Sequence, residues 1–417
     1  MAGLVVARDL ARSGIPVTVV EASDRTGGQL AAIRVAGIDV DAAAESFATR
    51  GGAVAALASE LGLGDDIVLP AQSPAWLVGR RGAHPLPAAS VLGIPADLRG
   101  KDLAAAIGRL GAWRARWDSA VPLRPPEAYR SLGDLVRRRM GARVLTGLVA
   151  PVVRGVFSTT PDALELAAAA PALPEALRMS RSLGAAVEQI RSASPAGSQV
   201  AGLRGGVHRL ASALERDARA AGAQFVLGAR VVRSDAAGVW LGSGEHIGGH
   251  VVSASAAAAG GAARTRTITV ATAVVDAPDL DDAPRGTGAL VEDGVVGVTA
   301  RALTHSSAKW GWLADRLPAH RHVVRLSYDE LPDDPEGTVS ADLRAITGAR
   351  IDALVELHVR TWTRTLEAHP GSSGQDAVGE AASVTGLASI VPAARATAER
   401  ISTDVRAARH GGSEGRR

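Results

Sequence analysis

Residues 2–28 read AGLVVARDLARSGIPVTVVEASDRTGG. Apolar residues recur at helical spacing from Ala2 to Ser13, Gly14 supplies a C-terminal stop, and Pro16-Val-Thr-Val-Val-Glu21-Ala22 has the composition of a buried parallel strand. Glu21 closes that strand eighteen positions after Gly3, where a carboxylate that binds ribose hydroxyls belongs. The stretch thus reads as the back half of a dinucleotide-binding βαβ unit, with Gly3 as the third glycine of its fingerprint. In such units the amino end of the helix faces a pyrophosphate with free N–H groups. The front half, a strand and the first two turn glycines, would lie upstream of Met1. The plain alternative for Glu21 is a surface acid at a strand end.

Composition narrows the classes. With 417 residues, 47% of them hydrophobic, the chain can bury a large core, and its length suggests two or three domains. It has no cysteine, which excludes disulfides, thiolate nucleophiles and Cys-ligated zinc or iron–sulfur clusters. Redox chemistry would have to come from a bound cofactor. No stretch of 18 uncharged apolar residues occurs and no signal-peptide pattern opens the chain, so a cytoplasmic location is expected, with a peripheral membrane contact left open.

The net charge of +3 is unevenly spread: Ala96 to Arg143 holds eleven Arg/Lys against five Asp/Glu. Such a patch can meet anionic lipid, an acidic partner or a polycarboxylate substrate, or can be a solvated helix face. No nucleic acid is expected, because neither a binding motif nor interleaved stacking aromatics accompany it.

Past Glu21 the chain continues Ser23-Asp-Arg25-Thr-Gly27-Gly28-Gln29, then Gly37-Ile-Asp39-Val-Asp41 and Glu45-Ser46-Phe47. Adjacent glycines allow close approach of backbone to a ligand, and Arg25 can supply positive charge beside a phosphate. The pattern AGL-x9-G-x6-EA-x2-R-x-GG, followed by an acid-rich turn and ESF, resembles the flavin amine-oxidase superfamily. Later segments resemble its porphyrinogen-oxidase branch. These are Ser131-Leu-Gly-Asp134 to Gly141, Pro151-Val-Val-Arg154-Gly155-Val156-Phe157 with Pro161-Asp162-Ala-Leu164, and Leu203-Arg-Gly205-Gly206 to Leu214. Ser306-Ser-Ala-Lys309-Trp310 and Gly379 to Ile401 complete the set, in the family's order along the chain.

The resemblance implies an α/β fold with a Rossmann-type FAD-binding domain, incomplete at its N-terminus, an α+β substrate domain and a helical insertion. Residues 1–72, 200–262 and 371–417 would form the FAD-binding domain, 73–95 and 263–370 the substrate-binding sheet domain, and 96–199 the helical domain. Alternating runs such as Arg266 to Val275 and Val323 to Ser327 suit that sheet. The implied activity is oxidation of coproporphyrinogen III or protoporphyrinogen IX by O2 through FAD, in haem synthesis. In this family the helical insertion walls the substrate cavity, and a peripheral membrane or haem-pathway enzyme contact is open.

The flavin carries such chemistry, so no protein nucleophile is expected. Cofactor contacts are expected at Gly3, Glu21, Arg25, Gly27, Gly28, Gly206, Val231 and Gly386. Val231 lies in Gln224-Phe-Val-Leu-Gly-Ala-Arg-Val231-Val, read as the strand whose backbone meets the adenine. Core packing also accounts for Val231, and a turn before a helix for Gly206. Lys309, one of two lysines, matches the lysine that related amine oxidases hold near flavin N5 through water; an exposed lysine beside Trp310 is the alternative. Arg154 is the candidate for a substrate propionate. His246 and His250 are spaced i, i+4, but Gly248-Gly249 breaks any helix there, so no metal is expected.

Three departures accompany the resemblance: the absent first strand, short links over 253–266 and 369–386, and Val384 in place of the usual first glycine of the C-terminal turn. They keep two other readings open, another amine oxidase or desaturase and a non-catalytic remnant.

Overall fold

The computed structural model describes residues 1–157, 159–192, 200–255, 263–368, 375–382 and 384–414. The links over 253–266 and 369–386 run partly outside these residues. Two compact units make up the chain, one from Met1–Leu69, Val200–Thr267 and Arg360–Arg417, the other from Pro70–Gln199 and Ile268–Val359.

In the first unit, helix Ala2–Arg12 buries Leu4, Val5, Val6 and Leu10, and packs on helices Arg209–Ala220 and Leu387–Glu414. It ends at Ser13, after which Gly14 takes a left-handed φ of 75° and Ile15 N–H returns to Leu10 O at 3.1 Å. Strand Thr18–Val20 then pairs in parallel with Gln224–Val226, and Val252–Ser253 pairs in parallel with Asp376–Ala377.

Two sequence readings change here. Val19 and Val20 are only half-buried, because among the described residues their strand has one neighbour and not two. Residues 224–232 are two strands, Gln224–Val226 and Val231–Asp235. Gly228, at φ 68°, breaks them apart, and its N–H bonds Ser23 O at 2.8 Å.

A charge network centred on one buried arginine ties the three stretches of this unit together. Arg8, its side chain 4% exposed, donates to Asp217 at 2.6 Å, Glu60 at 2.7 Å and Asp9 at 3.0 Å. Arg12 adds a bond to Asp217 and Arg395 one to Glu60, at 3.0 and 2.8 Å. Burial would raise the Glu60 and Asp217 carboxyls, but the guanidinium hydrogen bonds outweigh it and hold both below the ordinary carboxylate range.

The second unit contains most of a seven-stranded mixed sheet. Its order is Ala353–Ala368, Ala263–Asp276, Arg321–Tyr328, Ala302–His305, Gly288–Val291, Trp76–Gly79, Gly82–Pro85. Gly288–Val291 runs parallel to Trp76–Gly79, while Ala263–Asp276 with Arg321–Tyr328, Arg321–Tyr328 with Ala302–His305, Ala302–His305 with Gly288–Val291, and Trp76–Gly79 with Gly82–Pro85 pair antiparallel. Alternate residues Ala271, Ala273, Val324 and Leu326 face helix Pro335–Thr347 through Val339, Leu343 and Ile346. Asp334 caps that helix by accepting Gly337 N–H at 3.0 Å, and Gly348 stops it at φ 74°.

The helices of residues 101–192 share a separate apolar cluster in this unit, with Leu103, Leu132, Leu135, Leu148 and Leu183 fully buried. At its edge Asp118, with no exposed side-chain surface, accepts Arg139 Nε at 2.7 Å and the amides of Leu183 and Gly184 at 3.1 and 2.9 Å. Removing one partner of such a pair strands the other charge in a dry site. Asp118→Ala should therefore cost ~3–5 kcal/mol, read as a lowered urea midpoint, whereas a surface acid such as Asp97 replaced by Ala should stay within ~0.5 kcal/mol.

Candidate functional site

The amino end of helix Ala2–Arg12 carries no side-chain cap. A β-carbon on Gly3 would fall 2.9 Å from Ala254 Cβ, so the glycine lets this helix lie close to the residue after strand Val252–Ser253. The equivalent end of helix Arg209–Ala220 is filled differently. Asp41, 7% exposed, accepts Val207 N–H at 2.9 Å and His208 N–H at 2.8 Å, and bonds His208 Nδ1 at 2.9 Å. Gly206, at φ 101°, turns the chain into that cap, where a β-carbon would strike the His208 ring at 2.5 Å.

Glu21 stands at the end of its strand, half-buried, and one carboxylate oxygen accepts both Ser23 N–H and Ser23 Oγ at 2.9 and 2.8 Å. The loop that follows lies on helix Arg209–Ala220: Thr26 Oγ1 donates to Glu215 at 2.6 Å, and a Gly27 β-carbon would come 2.7 Å from Ala211 Cβ. Arg25 braces the loop from outside, donating to Thr26 O and Gly28 O at 3.2 and 3.0 Å. Gly28 and Gly386 both have left-handed φ, 59° and 79°, with no heavy atom within 4 Å of where a β-carbon would stand.

The unit thus gathers its predicted residues from distant parts of the chain. Gln29, next to Gly28, donates to Glu380 at 2.8 Å, and Gly379 lies so close to Ala2 that a β-carbon would approach it to 2.8 Å. Glu21 and Glu380 both bring negative charge to the amino end of the first helix. Gly386 O accepts Ser389 N–H and Ile390 N–H at 2.9 Å and so opens helix Leu387–Glu414. Val231 begins a strand two residues after Ala229, whose N–H bonds Glu21 O at 2.9 Å.

Arg154 and Lys309 belong to the other unit. Arg154, on helix Ala150–Phe157, forms an ion pair with Asp293. Lys309 ends a one-turn helix with its ammonium 5.0 Å from the Trp310 ring centre, a cation–π contact. His246 stacks on Trp240 at 4.4 Å and His250 bonds Asp376 at 2.7 Å. No group of three metal-ligating side chains occurs among the described residues.

Sequence reading missed two constellations, the Asp41 cap and a polar chain in the second unit. In the latter, His305 Nε2 meets His322 Nδ1 at 3.1 Å, and His322 Nε2 meets Asp281 at 3.0 Å; His320 bonds the other Asp281 oxygen at 2.6 Å. An ionised Asp281 can only accept, which makes His322 Nε2 a donor and leaves its Nδ1 to accept from His305. Burial, with a smaller contribution from His322, pushes His305 down from 6.5 to about 4; burial also lowers His322, against its bond to Asp281.

The family model for flavin containing amine oxidoreductases matches residues 1–262. This chain belongs to that family. Among curated relatives, the coproporphyrinogen III oxidase of Mycobacterium tuberculosis (strain H37Rv) is 29% identical over 395 residues, covering 87% of this flavin oxidoreductase and 83% of the mycobacterial protein. The Staphylococcus aureus coproporphyrinogen III oxidase is 32% identical over 158 residues, 38% of this chain and 34% of that one.

Among solved structures, a candidate protoporphyrinogen oxidase from Exiguobacterium sp. 255-15 superposes with a TM-score of 0.83 at 21% identity, covering 97% of each chain. Cyclohexylamine oxidase from Brevibacterium oxydans gives 0.64 at 16% identity, also over 97% of each. The fold is therefore mixed α/β, of the Rossmann type found in amine-oxidase-family enzymes, and the family implies a flavin. No helix among the described residues is long and apolar enough to cross a membrane.

The histidine chain gives a signed pH dependence. Because the fold favours neutral His305, its stabilising share is whole above pH 6.5, shrinks as pH falls, and is gone below about 4. Unfolding by urea between pH 6.5 and 5 should show stability falling with pH, toward a total loss of about 3 kcal/mol, and His305→Gln should flatten that slope.

Proposed function

We propose that this chain binds FAD and oxidises a porphyrinogen in haem biosynthesis, with molecular oxygen as acceptor, and that its substrate is coproporphyrinogen III rather than protoporphyrinogen IX. The observation that carries the reading is the match across 87% of the chain to a relative named coproporphyrinogen III oxidase. The site residues support the cofactor. An uncapped helix end, a ribose-side carboxylate at Glu21 and open left-handed glycines at Gly28 and Gly386 are the features a dinucleotide needs, and they share one unit.

When bound, the flavin supplies two-electron oxidation, so forming coproporphyrin III from its porphyrinogen takes three rounds and six electrons. The chain's own residues position and neutralise. Glu21 would accept the ribose hydroxyls while Ser23 holds its other face. Arg25 has donors beyond the two that brace its loop, and these would meet a phosphate. Gly3 and Gly27 let neighbouring segments approach closely, Gly206 turns the chain into the Asp41 cap, and the Val231 backbone would meet the adenine. In the second unit, Arg154 would exchange Asp293 for a substrate propionate.

A flavin absorbance spectrum of the purified chain, before and after incubation with FAD, tests the cofactor. Gly28→Val places a β-branched side chain at φ 59° and should weaken FAD binding roughly tenfold or more. Porphyrin fluorescence in air should grow with coproporphyrinogen III and release hydrogen peroxide. Growth only with protoporphyrinogen IX would reverse the substrate assignment. A colourless chain that takes up no FAD overturns the proposal and leaves a non-catalytic protein.

A further inference from the structure

The two edges of the seven-stranded sheet are built differently. One edge, Gly82–Pro85, is four residues long and ends in a proline, which has no N–H to offer a further strand. The other, Ala353–Ala368, runs for 16 residues with no proline, glycine or lysine. Among the described residues no strand lies on its outer side. Its first part, residues 353–359, belongs to the second unit. There Val355 and Val359 are 45% and 40% exposed, and Leu357 is half-buried.

The start of this edge is fixed in place. Asp352 N–H bonds Asp276 O of the neighbouring strand at 2.9 Å, Arg350 Nε bonds the Asp352 carboxylate at 2.9 Å, and Arg350 N–H bonds Asp279 at 2.9 Å. Backbone groups alternate sides along a strand. With Asp352 turned toward Ala263–Asp276, the N–H and C=O groups of Val355, Leu357 and Val359 point outward.

The residues along the edge read symmetrically about Leu357. Glu356 and His358 flank it, bonded to each other at 2.7 Å with side chains 36% and 38% exposed, and Val355 and Val359 flank those in turn. A two-fold axis through Leu357 would lay a second copy antiparallel on this edge, Val355 against Val359, Glu356 against His358 and Leu357 against itself. Moving the axis to Val359 would set His358 opposite Arg360 of the second copy, and moving it to Val355 would set Arg360 opposite Arg350 of the second copy. Complementary charge therefore selects Leu357.

We propose that residues 353–359 are the contact of a symmetric dimer, in which the same strand of a second copy extends the sheet. About six main-chain hydrogen bonds would close it, two for each outward pair, with the valines packing across the seam. The chain itself supplies the Glu-x-His order that this edge matches. A one-strand contact is small, so the dimer should be reversible, with a dissociation constant on the order of 10–100 µM. The contact makes no use of a flavin.

Sedimentation of the full chain between about 1 and 500 µM tests it. The wild type should pass from monomer to dimer, and amide exchange at Val355, Leu357 and Val359 should slow as it does. Glu356→Lys sets a cation opposite His358 of the second copy and should weaken the dimer about tenfold with an unchanged circular dichroism spectrum. Adding His358→Glu to that variant restores the opposite charges and should bring the dissociation constant back to within about threefold of the wild type. A chain that stays monomeric over the whole range would give the edge to a different partner and overturns the proposal. So does a dimer that Glu356→Lys leaves as tight as before, or one whose formation leaves those three amides exchanging at the monomer's rate.

Discussion

The first unit depends on Arg8. It lies in the interior of that unit, and its three carboxylate partners come from the first and second of the unit's three chain stretches, with Arg395 of the third sharing Glu60. Three cations, Arg8, Arg12 and Arg395, face three anions, Asp9, Glu60 and Asp217, so the charges balance. A buried guanidinium tolerates few arrangements, because any missing partner leaves an uncompensated charge. Apolar packing brings the helices together, and this network decides which of their faces meet.

The helices so placed end in two different ways. Asp41 satisfies the amino end of Arg209–Ala220 with a carboxylate of the protein, while Ala2–Arg12 offers no side chain at its own. A helix end already holding a carboxylate has less to give an anionic ligand. The amino end of Arg209–Ala220 is thereby committed to structure. Gly206 is needed on the structural side of that division, where its left-handed turn places Val207 and His208 against Asp41.

What could be read in the sequence was local. Gly14 and Gly28 take the left-handed conformations for which glycine is suited. Glu21 closes its strand as read. What could not be read depends on partners far along the chain: Arg8 and Asp217 are 209 positions apart, Asp41 and His208 are 167 apart, and no periodicity records them. The long strand expected over 224–232 failed at Gly228, where a bond to Ser23 mattered more than the run of apolar residues.

The discontinuity of the first unit also imposes an order on its making. At about 5–20 residues per second, Asp217 leaves the ribosome on the order of 10–40 seconds after Arg8, and Arg395 later still. Through that interval helix Ala2–Arg12 has an arginine on its apolar side and no helix Arg209–Ala220 to receive it. Glu60 and Asp9 are the two partners already synthesised, and they can hold the guanidinium until the rest of the unit arrives. Those early carboxylates thus act as a temporary harbour in time as well as a fixture in space.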